Sequence, residues 1–76
     1  MSHAALNAAR VYEACGRALE TRKGLYTDEK DIVQLGRVAD LAFHVAEING
    51  DKADIFISAD DFALFKGHWP QPQKQP

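Results

Sequence analysis

The sequence predicts a mainly α fold: an antiparallel two-helix hairpin followed by one short strand and a short C-terminal helix, assembling as a dimer. Three observations carry that expectation. The stretch from His3 to Arg22 is proline-free and rich in alanine, the best helix former. The stretch from Thr27 to Ile48 keeps a helical period of apolar residues. A single weakly alternating segment, Lys52 to Ser58, then precedes a second helix-start signature.

Ser2 is positioned to cap the first helix, whose apolar stripe is Ala4, Ala8, Val11, Tyr12, Cys15, Ala18 and Leu19. Ala5, Ala9 and Gly16 form a ridge of small residues beside it, which lets a neighbouring helix approach closely. On the other face Arg10, Glu13, Arg17 and Glu20 have the spacing of i,i+3 and i,i+4 ion pairs. Lys23-Gly24-Leu25-Tyr26 supplies a basic last turn and a glycine stop, and Thr27 is placed to cap the second helix. Asp28, Glu29 and Asp31 complement the positive end of that helix. So short a connection folds the two helices back on one another.

The second helix has more apolar surface than one neighbour can cover. At about 100° per residue, Ile32, Leu35, Ala39, Ala42, Phe43 and Ala46 form a core stripe. Val38, Leu41, Val45 and Ile48 extend the stripe until roughly two thirds of the circumference is apolar. That excess points to association. Asn49-Gly50-Asp51 ends the helix with residues that tolerate left-handed geometry. In Lys52 to Ser58, Ile55 and Ile57 lie on one side and Asp54, Phe56 and Ser58 on the other. With no second strand legible, the ladder is expected from the same strand of a twofold-related copy, or the segment lies extended across the helices. Ser58 and the acids Asp60 and Asp61 then start a helix over Ala59 to Lys66 that Gly67 ends. Residues 1–69 are thus one domain, and 70–76 a disordered Pro/Gln tail.

At 76 residues the chain buries only roughly 60 % of its unfolded surface, so it needs a further source of stability. The single Cys15 forms no internal disulfide and no Cys/His set has metal-ligand spacing, which leaves self-association. A lone thiol, with no leader, spanning stretch or lipidation box, places the protein in the cytoplasm and off the membrane.

The net charge of −2 is unevenly spread. Between Thr27 and Phe65 nine acids face only Lys30, Arg37 and Lys52, which disfavours nucleic acid as a direct partner. A DNA-reading helix-turn-helix is rejected, because both helices are too long and the second opens on acids. The isolated glycines make no phosphate loop. Asp40, His44 and Glu47 share one face of the second helix, a spacing that could bind a divalent metal or shuttle a proton. Arg37 sits beside them as a counter-ion and no second helix offers matching ligands, so no metal and no cofactor is assigned. Cys15, among apolar neighbours and without an activating histidine, reads as a core residue and not a nucleophile.

No catalytic motif is present. The expectation is a small non-enzymatic protein-interaction module, homodimeric through the second helix, that meets partners with Val38, Leu41, Val45, Ile48, Phe62, Phe65 and Trp69. Two other readings stand beside it. One is an acidic inhibitor that covers a basic, nucleic-acid-binding surface of a target protein. The other is a small-molecule binder or simple enzyme with a dimer-interface cleft lined by Tyr12, Arg37, Asp40 and His44.

Overall fold

A computed structural model describes residues 3–22 and 28–69. The described residues are mostly helical, with three helices and a two-stranded antiparallel sheet among them. In order the elements are β1 (His3–Asn7), α1 (Ala8–Arg22), α2 (Glu29–Asn49), β2 (Asp54–Ser58) and α3 (Ala59–Phe65), the last running into a 3-10 turn over Lys66–His68.

The first five residues of the expected first helix form a strand instead. β1 pairs antiparallel with β2, with Ala4 opposite Ile57, Ala5 opposite Phe56 and Leu6 opposite Ile55. Alanine propensity favours helix there by only a fraction of a kcal/mol per residue, whereas leaving β2 unpaired would strand its backbone donors and acceptors. The ladder expected from a second copy is therefore supplied within the chain. The cap of α1 moves accordingly from Ser2 to Asn7, whose Oδ1 accepts from the Arg10 N–H at 3.0 Å.

The α2 cap is Asp28, whose carboxylate accepts from the Lys30 N–H at 3.0 Å. Thr27, the turn from Lys23 to Tyr26, and the tail from Pro70 to Pro76 lie outside the described residues. At its far end α2 stops as its sequence indicates. Gly50 takes φ 94°, a left-handed value that a side chain would oppose, and its N–H donates to the Ala46 carbonyl at 2.8 Å. The Ser58 hydroxyl caps α3 by accepting from the Asp61 N–H at 3.2 Å. Gly67 does not end the last helix; it continues inside the 3-10 turn, which closes through a Trp69 N–H to Lys66 carbonyl bond of 3.1 Å.

The helical hairpin forms one layer, and the sheet with α3 forms the other. β1 leads directly into α1, β2 follows the turn that ends α2, and α3 packs across both long helices. Between the layers lie Val11, Ala14, Cys15 and Ala18 of α1, Leu35, Val38, Ala39 and Ala42 of α2, Ile55 and Ile57 of β2, and Phe65 of α3. The phase of α2 is rotated from the expected one. Val38, placed by sequence on the second side, is buried, whereas Phe43 and Ile32, placed in the core stripe, are 47 % and 39 % exposed. The sheet beneath α2 draws Val38 inward, and turning that side down lifts Phe43 and Ile32 out toward solvent.

Candidate functional site

Burial splits the expected contact residues into two groups. Val38 and Phe65 belong to the core and offer nothing to a partner. Phe62 and Trp69 are half-buried in an aromatic cluster with Phe65, with ring centroids 5.4 Å (Phe62–Phe65), 5.8 Å (Phe62–Trp69) and 6.1 Å (Phe65–Trp69) apart. Trp69 is thus folded back onto α3. Val45 is half-buried, while Leu41 and Ile48 are 56 % and 64 % exposed.

Gln34, Leu41 and Ile48 are seven residues apart and so form one row along α2. Gln34 at the head of that row donates from Nε2 to Asp61 Oδ1 of α3 at 3.2 Å. The row therefore runs down the side of α2 that borders the second layer, away from α1. Phe56, which the sequence assigned to the polar side of its strand without a contact role, is 73 % exposed on the sheet face turned from the helices. Its signal was available: a large aromatic at the out-pointing position of a strand has no core to fill.

A second apolar feature lies on the other side of the hairpin. Tyr12 of α1 and Phe43 of α2 stack at a tilt, with ring centroids 5.1 Å apart, and remain 46 % and 47 % exposed. With Ala9, Ala46, Glu47 and Asp51 they line a hollow of about 270 Å³. Neither the Glu47 nor the Asp51 carboxylate is in an ion pair among the described residues. The ion pairs described are Arg17 to Glu13 at 2.8 Å, as the i,i+4 spacing indicates, and Arg22 to Asp31 at 3.7 Å.

The remaining candidates are dispersed. Asp40, His44 and Glu47 are all exposed on α2, and among the described residues no three His, Cys, Asp or Glu side chains are grouped to hold a metal ion. Of the proposed cleft lining, Arg37 faces a hollow of about 610 Å³ between α2 and α3, shared with Val33, Gln34, Asp61 and Leu64. Tyr12 belongs instead to the α1 side, so one chain does not gather the two. Cys15 is fully buried, and burial, with the Asp61 carboxylate adding to it, pushes the thiol up to about 11. At neutral pH it is a protonated thiol without access to a substrate.

No helix among the described residues is long and apolar enough to cross a membrane. Comparison with protein-family models, curated proteins and solved structures finds no match to this chain.

Proposed function

We propose that this chain is a small, non-enzymatic protein-interaction module that self-associates through the outer side of α2, with Leu41 and Ile48 as the contact residues. The observation that supports it is the exposure of those two side chains, 56 % and 64 %, in one row on a helix whose Leu35, Val38, Ala39 and Ala42 stripe is already packed in the core. Burying the surface that each still exposes would contribute about 1–2 kcal/mol, a large increment for so small a core. A cytoplasmic setting agrees with a single thiol kept buried and unpaired.

The test is charge insertion at matched exposure. Leu41→Glu and Ile48→Glu should each weaken self-association at least about tenfold, or about 1.4 kcal/mol, with helical content unchanged. Phe43→Glu, at similar exposure on the other side of α2, should leave it alone. Equal weakening by all three, or by none, would sink this reading.

The acidic-inhibitor reading is favoured by the hollow beside Tyr12 and Phe43. An aromatic pair bordered by two carboxylates that are in no ion pair among the described residues suits an arginine or lysine side chain, through both charge and cation–π attraction. That side of the molecule stays open when α2 associates by its outer side. A complex with a basic target would weaken steeply as salt rises, and one insensitive to salt would exclude this mode.

A further inference from the structure

Tyr12 and Phe43 meet across the two long helices, and beside them the surface dips. Ala9 of α1 and Ala46 of α2 reach the same hollow with one methyl group each, which leaves the space next to the rings open. The rings keep 46 % and 47 % of their surface exposed. Aromatic faces left open beside a concave floor form a stacking platform.

The rim of this hollow is anionic. Glu47 lies one turn beyond Phe43 on α2, and Asp51 follows the Gly50 stop. Asp51 is held in place, because its backbone carbonyl accepts from the Asn7 side-chain amide at 2.7 Å and the Ala53 N–H donates to the Gly50 carbonyl at 3.1 Å. Arg10 and Lys52 are sequence neighbours of Ala9 and Asp51, yet neither lines the hollow and neither is in an ion pair among the described residues. Two other hollows differ in charge. Lys30 and Arg37 line the one between α2 and α3, and Arg17 and His68 the one beside Glu13 and Gly16. Of these three, the Tyr12–Phe43 hollow alone joins open aromatic faces to acids with no cation in its lining.

We propose that this hollow is a guanidinium site: it receives one arginine side chain of a partner protein, stacked against the Tyr12–Phe43 pair with its N–H edge turned to Glu47 and Asp51. This rests on the acidic-inhibitor reading above and names the side chain that such a target must present.

Size and chemistry select that occupant. At about 270 Å³ the hollow falls below the roughly 300–1,000 Å³ of small-molecule sites and suits a single side chain. Lysine brings a compact, strongly hydrated charge, whereas a guanidinium is flat, weakly hydrated and carries donors along its edge while its face stacks. A quaternary ammonium would use the rings but offer the carboxylates no donor. Exposed ion pairs alone contribute little, so the preference for arginine must come from the rings. Free arginine is a poorer ligand than arginine within a chain, because the acidic rim repels its own carboxylate.

The test is an amide NMR titration of the protein with hexaarginine and with hexalysine, at about 0.15 M salt to screen diffuse attraction. Hexaarginine should bind at least about threefold tighter, with shifts centred on Ala9, Tyr12, Phe43, Ala46, Glu47 and Asp51. Phe43→Leu keeps apolar bulk and loses the ring; it should weaken hexaarginine about two- to fivefold and remove the preference over hexalysine. Glu47→Gln should weaken hexaarginine at least about twofold more than Glu29→Gln, the same charge change eighteen residues away on α2, about 27 Å along the helix. Equal binding of the two peptides, with Glu29→Gln as harmful as Glu47→Gln, overturns the site and leaves a diffuse acidic surface, and with it the acidic-inhibitor reading, standing. No binding of either peptide even at low salt removes both.

Discussion

The Asn7 side-chain amide donates to the Asp51 backbone carbonyl at 2.7 Å, across 44 residues of sequence. Next to it the Ala8 N–H donates to the Ala53 carbonyl at 2.9 Å, so the start of α1 is tied to the loop leaving α2. Asn7 thus caps α1 with its oxygen and closes the sheet end with its nitrogen. Asn7→Ala should cost about 1–2 kcal/mol, read as a lower urea midpoint. Asn7→Asp keeps the capping oxygen but loses the donor, and should fall between the two. An unchanged midpoint for Asn7→Ala would show that neither bond matters.

These contacts show why the sequence was legible in some places and not others. Ser58, Gly50 and the long apolar run of α2 are local signals, and each appears where its chemistry directs. β1 is not local. His-Ala-Ala-Leu-Asn reads as helix by propensity, and only the pairing demand of β2, some fifty residues on, makes it a strand. The same long-range effect misled the phase of α2: the expected core stripe assumed one packing helix, whereas the sheet beneath turns Val38 inward and Phe43 outward. Leu41 and Ile48 were legible as surplus apolar surface, while Phe56 was hidden in a segment whose partner strand was unknown.

That rotation can be measured. Val38 is 6 % exposed and Leu41 56 %. In dilute protein, Val38→Ala should destabilise the fold by about 2 kcal/mol and Leu41→Ala by less than about 0.5 kcal/mol. Denaturation midpoints of the two variants give the comparison directly, and equal losses would return both residues to one environment.

Cys15 gives a pH signature. Its thiol ionises near 9 when unfolded and is pushed to about 11 in the fold by burial, with Asp61 adding to it. The unfolded chain therefore loses its proton first. The stability tied to the protonated thiol is fully present below pH 9 and is lost as pH rises toward 11, with a slope approaching about 1.4 kcal/mol per pH unit. Subtracting the profile of Cys15→Ala removes the lysine and tyrosine contributions. A difference that is flat from pH 8 to 11 would contradict the burial of the thiol.

Trp69, the single tryptophan, reports on the C-terminal cluster. Phe62 meets it edge-on at 5.8 Å and also meets Phe65 at 5.4 Å. Phe62→Ala should shift Trp69 emission to longer wavelength and cost about 2 kcal/mol, because it removes a ring packed edge-on against both of the others. Emission unchanged from the wild type would mean that Trp69 is held by other contacts.

The central claim is that the exposed side of α2 is a self-association surface, and the solution mass tests it most directly. Light scattering over a hundredfold range of concentration should give twice the 8.4 kDa chain mass at the upper end. The Leu41→Glu variant should read as monomer over most of that range. A wild-type mass that stays at one chain throughout would contradict the account.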